Sequence, residues 1–510
     1  MNGTIVGGVP FPDDYRASGI LLHVTSLPSP DGIGDLGPVA VSWIDRLEQA
    51  SQRWWQALPL GPTGYGNSPY QPLSSFAGNA LVISPQWLVE DELLAPGDCD
   101  HASFPVDSVD YYAIISFKHR LFEKAWDRFR SGTRADLRPD YDRFCCDHAQ
   151  WLPDYALFRA LKAKFGNVHY LKWPSELVQR RPAALDQARG QLSDQIGRAS
   201  FGQFLLFRQA ERLKAHAHKK GLTLMGDLPF FVSGDSSDVW ANPQFFLLDE
   251  QCRPRFVAGV PPDYFSSKGQ LWGNPVYNWD ALRQAGYRWW IARLRSLLSH
   301  VDVIRLDHFR GFAAAWNVPA EAPTAETGSW VPGPGSEFFQ AVQKELGWLP
   351  FVAEDLGLIT PDVSAMRERF HLPGMRVLQF AFDGHADNPY LPENFQANTV
   401  VYTGTHDNPT TRSWFQDLPG DQQKIIWNYL EKRGAGSTNA AAALIEVAWS
   451  SVAALAITPL QDLLNLGKEA RMNVPGRSDG NWRWRATEDM LSDRRFEWLR
   501  DLTTNARRTL

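Results

Sequence analysis

Cysteine is scarce in this chain. The four present, Cys99, Cys145, Cys146 and Cys252, fall in no Cys-x-x-Cys spacing and form no disulfide framework, which suits a reducing, cytoplasmic setting. The adjacent pair Cys145–Cys146 reads as part of a helix. Positive charge is not in excess: 51 Lys and Arg against 57 Asp and Glu leave a net charge of −6. No long basic run appears either, so no nucleic-acid surface is expected. No uninterrupted apolar stretch is long enough to span a bilayer, and the first residues lack the basic-then-apolar pattern of a signal peptide. That leaves no expected membrane partner.

Aromatic residues, by contrast, are plentiful, with 21 Trp in 510 residues. Most such rings fill cores, and exposed ones stack well on the apolar faces of sugars. The length exceeds one ordinary compact core and suits a large barrel with insertions, or several domains.

Taken in order, GILLHVTSLPSP from Gly19 reads as a buried strand running into a loop. Leu36–Ala50 has helical spacing at Val39, Trp43, Ile44 and Leu47, with Pro38 fit for a first turn. WWQALPLGP is a second strand. Residues 85–200 then read as a mainly helical insertion without strands. The alternation resumes with a helix ending at Lys219, Lys220 and Gly221, on which His216 and His218 point in different directions and do not suggest a metal pair. Buried strands follow around Leu224, Val303, Phe351, Val377, Val401 and Ala456, joining those at Ile20 and Trp55. Eight strands with intervening helices close a (β/α)8 TIM barrel with helical insertions. The expected division is an N-terminal segment 1–18, the first two strands 19–84, the insertion 85–200, the rest of the barrel with its active-site loops 201–485, and a helical tail 486–510. Residues 257–275 read as a long aromatic loop.

In such a barrel the chemistry lies at the C-terminal ends of the strands. Three of them end in carboxyls: Asp307, Glu354 and Asp407. Arg305 lies two residues before Asp307 on the same strand face, which is expected to keep that carboxylate ionised, as a nucleophile requires. Glu354 follows Phe351-Val352-Ala353, and apolar surroundings raise a carboxyl pKa towards that of a general acid. Asp355 points the other way and reads as structural. Asp407, beside His406, can hold sugar hydroxyls and stabilise a cationic ring. Two carboxyls across a scissile bond are the tools of glycoside chemistry.

RLDHFRG, AEDLG, THDN and SPYQPLSSFAGN, together with GDLPFFVSGDSSDVWANP, VAGVPPDYFSSKGQLWGNP and VPGRSDGNWRWR, resemble glycoside hydrolase family 77, the 4-α-glucanotransferases or amylomaltases. The match runs from about Gly19 to Arg485 and implies an α-amylase-superfamily-like barrel. The resemblance implies a retaining double displacement with no cofactor and no metal, acting on α-1,4-glucans with glucose or another glucan as acceptor. Asp307 would be nucleophile, Glu354 general acid/base and Asp407 transition-state stabiliser. Tyr70, Asp227, Arg305, His308 and His406 would line the donor sugar subsites, and Gln270 and Trp272 would lie in a loop over the glucan. Tyr264 and Phe265 join Trp272 as aromatics that exclude water there. The motifs begin almost at the N-terminus, so the extra N-terminal domain of some longer members is not expected. Pro409 after THDN, where an acidic residue would serve as readily, reshapes that loop without touching Asp407. Three other readings remain open: an α-glucan hydrolase with the same residues, a glycan-binding protein without turnover, and a metal-dependent barrel hydrolase using His23, His308 and His406. The last lacks the strand-end His-x-His pair of such barrels.

Overall fold

The computed structural model describes residues 10–12, 14–100, 103–262 and 267–509. Its eight barrel strands are β1 (Ala17–Leu21), β2 (Trp54–Gln56), β3 (Thr223–Leu228), β4 (Val303–Leu306), β5 (Phe351–Ala353), β6 (Gly374–Val377), β7 (Thr399–Tyr402) and β8 (Leu455–Pro459). Each holds one of the eight anchors read from the sequence. The strands are legible because a parallel sheet covered on both faces takes near-continuous apolar runs. In β4, Val303, Ile304 and Leu306 are all buried, and each contributes about 1.5–3 kcal/mol of transfer free energy.

All neighbours pair in parallel, in the order β6-β7-β8-β1-β2-β3-β4-β5. The remaining seam, between β5 and β6, is closed differently. Ala353 N–H donates to the Pro373 carbonyl at 2.8 Å. Buried Asp355 then accepts from Met375 N–H at 2.7 Å and takes ion pairs from Arg376 at 3.2 Å and Arg367 at 3.4 Å. Asp355 is structural, as expected, and what it secures is the barrel's last join, one residue from Glu354.

Helices cover the outside. Pro38–Gln49 buries Trp43, Ile44 and Leu47. Between β2 and β3 the described residues hold helices and no strand, among them Tyr111–Arg130, Leu152–Lys164 and Ser193–Lys219. Cys145 and Cys146 lie in the helix Arg138–Asp147. His216 and His218 do diverge, each to its own acid: Asp45 at 2.8 Å and Asp302 at 2.9 Å. Near the C-terminus the helix Asp493–Asn505 leads to Arg508, whose buried guanidinium donates to carbonyls of Ala17, Trp449, Ser451 and Ala453 beneath the barrel. Among the described residues no helix is long and apolar enough to cross a membrane.

The stretch 257–275 is not a loop. Phe256–Val260 and Gln270–Pro275 are strands of a four-stranded antiparallel sheet, completed by Ala314–Pro319 and Ser329–Pro332. Glycine and proline hide it in the sequence. Gly259 is required by the pairing itself, since a Cβ there would stand 2.5 Å from the Gln270 carbonyl oxygen. Tyr264 and Phe265 lie outside the described residues.

Candidate active site

β3, β4, β5 and β7 deliver their last side chains to one mouth. Register sets the pairs: Asp227 of β3 lies opposite Arg305 of β4, and Leu306 opposite Ala353, so Asp307 and Glu354 follow side by side. Asp307 N–H donates to the Leu228 carbonyl, and Glu354 N–H to that of Leu306, which extends the ladder to the carboxyls themselves.

Arg305 is the hub. Its Nη1 donates to Asp227 Oδ2 at 2.6 Å and to Asp307 Oδ1 at 3.1 Å, and its Nε reaches Met375 Sδ at 3.3 Å. Tyr70, from the loop after β2, donates its hydroxyl to the same Asp227 oxygen at 2.8 Å. Burial opposes the Arg305 charge, but Asp227 and Asp307 hold its pKa well above the ordinary value. Burial raises the Tyr70 phenol far above its usual range, with the Asp227 charge adding to it.

Asp307 differs from the expectation of a permanently ionised group. Burial pushes its carboxyl up to about 7, and Arg305 only partly offsets this because its charge is shared with Asp227, whose own charge also raises Asp307. Glu354 behaves as expected and goes higher. Burial drives it up to about 8 and the Asp307 charge adds to that, against the pull of Arg305 and of two backbone donors. Those donors are His308 N–H at 2.7 Å and Leu356 N–H at 3.0 Å. His308 adopts a left-handed φ of 48°. A non-glycine residue is rarely found there, and strain of this kind collects at working sites. Here the turn aims the amide at Glu354. Of the two carboxyls, Glu354 is the one that stays protonated to higher pH.

Asp407 is half exposed. Its Oδ1 accepts from Asn473 Nδ2 at 2.6 Å and lies 3.4 Å from His406 Nε2, while Arg471 donates to its carbonyl at 2.7 Å. His406 stacks on Tyr70, with ring centroids 4.9 Å apart at 15°. Trp482 tilts against both rings. Burial lowers the His406 pKa and brings that of His308 to about 4, so both imidazoles are neutral near pH 7.

Trp272 meets the His308 ring edge-on at 4.9 Å and sits beside Phe231. Gln270 accepts from Trp272 Nε1 at 3.2 Å and bonds to none of the three carboxyls. His23 lines a cavity together with His406, and burial brings its pKa down to about 3. Among the described residues no three His, Cys, Asp or Glu are grouped to share a metal ion. Asn473 lies one residue before the VPGRSDGNWRWR motif and is missed by the sequence reading, which takes in Trp482 only as part of that motif. An amide and an indole far along the chain carry no local pattern that points to Asp407 or Tyr70.

Two buried polar atoms at this mouth, Asp227 Oδ1 and His308 Nε2, have no protein partner. Such atoms call for explanation, and a polyhydroxylated ligand supplies one. The comparison with known proteins decides which. The family model for glycoside hydrolase family 77, 4-alpha-glucanotransferase, matches residues 22–491. The chain belongs to this family. A 4-alpha-glucanotransferase of Synechocystis is 49% identical over 491 residues, covering 95% of this chain and 96% of that protein. One from Thermus thermophilus is 46% identical over 482 residues, covering 94% and 96%. The solved amylomaltase of Streptococcus agalactiae, in complex with acarbose, superposes with a TM-score of 0.93 at 36% identity, covering 97% of this chain and 99% of that one. The activity of the chain is accordingly that of a 4-alpha-glucanotransferase acting on α-1,4-glucans, on an amylomaltase barrel.

Proposed function

We propose that the transfer runs as a retaining double displacement through a glucosyl ester on Asp307. Asp307, ionised, attacks the anomeric carbon as Glu354 gives its proton to the departing glycosidic oxygen. The shorter glucan leaves with a free 4-hydroxyl. Glu354, now a carboxylate, takes the proton of an incoming 4-hydroxyl, whose oxygen displaces Asp307 and restores an α-1,4 bond. Asp407 stabilises the positive charge on the ring in both steps. The observation that carries this reading is the side-by-side placement of Asp307 and Glu354 on neighbouring strands, with burial lifting Glu354 above Asp307. Retention needs carboxyls only ~5–5.5 Å apart, and strand ends whose backbones lie about 4.8 Å apart suit so short a separation.

In the same reading Tyr70, Asp227, Arg305, His308 and His406 hold the donor sugar, Gln270 and Trp272 close over it, glucose serves as the smallest acceptor, and no cofactor takes part. The protein works in the cytoplasm. Incubation with purified maltotriose tests the reaction. Free glucose and longer dextrins should appear while total reducing ends stay constant, because transfer conserves glycosidic bonds. Rising reducing ends would mean that water is the acceptor.

Nothing in the three carboxyls favours a sugar over water. We assign that choice to Trp272, whose ring shields the His308 side of the site. Trp272→Ala is expected to raise the ratio of hydrolysis to transfer by about 3- to 10-fold, the worth of one aromatic contact. An unaltered ratio, measured from reducing ends against released glucose, removes Trp272 from this role.

A further inference from the structure

The edge strand Ser329–Pro332 turns Trp330 towards solvent, with 37% of its surface exposed. The indole is nevertheless held in place. The guanidinium carbon of Arg310 lies 3.9 Å from its centroid, and Trp316, directly across the ladder, meets it edge-on at 5.3 Å. Arg310 is fixed in turn by donating to the carbonyl of Leu358. Arg310 lies three residues past Asp307 and Leu358 four past Glu354, so the ring is tied to the two strand ends that carry the working pair. Leu358 itself is 64% exposed.

Direction follows from the chemistry. Glu354 protonates the leaving oxygen and later deprotonates the acceptor, so both occupy the side of the site beyond Glu354. Leu358, four residues past Glu354, holds the Arg310 that lies against Trp330, which ties the ring to the chain leaving Glu354. The guanidinium covers part of one ring face, and 37% of the residue's surface stays open. A flat, pre-positioned, open aromatic surface loses little entropy on binding and suits the C–H face of a glucose unit.

We propose that Trp330, clamped by Arg310, is an acceptor-side stacking platform that engages a sugar of the incoming α-1,4-glucan beyond the one carrying the reactive 4-hydroxyl. This rests on the transferase reading above and adds a length preference: a long acceptor reaches the platform and glucose does not.

The test uses amylose as donor and, as acceptors, reducing-end-labelled maltopentaose and labelled glucose, with elongation followed by chromatography. In Trp330→Leu, which keeps apolar bulk but loses the flat face, the KM for maltopentaose relative to that for glucose should rise about 3- to 10-fold. Trp330→Phe should restore most of the ratio. Melting followed by circular dichroism verifies that both variants fold. An unchanged ratio in folded Trp330→Leu overturns the platform while leaving the transferase reading intact. The same holds if the ratio stays put and light scattering shows a changed oligomeric mass, since the face would then serve contact between copies. If the wild-type protein elongates neither acceptor, the transferase reading fails, and the platform with it.

Discussion

Asp307→Asn should lose activity on maltooligosaccharides by about 10⁴-fold or more, the scale on which nucleophile removal acts when other groups still bind substrate. The same variant should gain stability above neutral pH. Burial lifts the Asp307 carboxyl from its ordinary 3.8 to about 7, so the folded state holds its proton more tightly than the unfolded chain. That contribution is complete below pH 3.8 and is lost as pH rises through 7; at pH 8 the wild type carries an unfavourable buried charge that asparagine lacks. Full conversion of this rise sets a ceiling of about 4 kcal/mol. The side chain is 28% exposed, and solvent screening brings the expected gain to about 1–2 kcal/mol. Melting at pH 8 should therefore occur about 1–2 °C higher in the variant, with the difference closing towards pH 4. Near-full activity in Asp307→Asn would refute the nucleophile assignment. A melting difference that fails to close at low pH would place the stabilisation somewhere other than the carboxyl.

The barrel was readable because its strands obey one local rule. A parallel strand between helices and a packed interior is apolar throughout, and at the mouth it must give way to polar residues. Val303-Ile304 followed by Arg305 and Asp307 shows that change within five residues, and Glu354 and Asp407 repeat it. The accessory sheet breaks the rule. Its strands are antiparallel, partly exposed and interrupted by glycine, so their pattern is that of a turn-rich loop until the partner strands are known.

The site divides in the same way. Arg305 beside Asp307 is a local fact of strand geometry, and the structure keeps that pair. What the sequence hides is that Arg305 is spoken for from the other side, by an aspartate 78 residues upstream. A charge divided between two carboxylates cannot hold Asp307 as low as an undivided one would, and burial decides the outcome. Burial is also where Glu354 was read well, since the three apolar residues before it already announce the interior. The amide of Asn473 on Asp407 spans 66 residues, and the left-handed turn at His308 arises from the meeting of β4 with β5. Neither has a signature in composition or period.

Glu354→Gln should reduce turnover of maltooligosaccharides by about 10²- to 10⁴-fold, the usual worth of a positioned general acid. It should reduce the first step far less with α-maltosyl fluoride, because fluoride leaves without a proton. The second step still needs a base to take the acceptor's proton, and glutamine supplies none. The ester on Asp307 should then accumulate, visible in intact mass as one added maltosyl unit. The pH profile gives an independent handle. Turnover needs Asp307 ionised and Glu354 protonated, so wild-type activity should rise as Asp307 loses its proton near 7 and fall as Glu354 loses its own near 8. With maltooligosaccharides, the residual activity of Glu354→Gln should keep the acidic limb and lose the alkaline one, since glutamine does not titrate. The acidic limb should stay in place, because Glu354 is already neutral while Asp307 loses its proton, and a neutral amide changes little there. Were the alkaline limb to survive the substitution, the acid would have to be another group. Asp407, half open to solvent and bonded through its Oδ1 to Asn473, is the remaining one of the three carboxyls to test in that event.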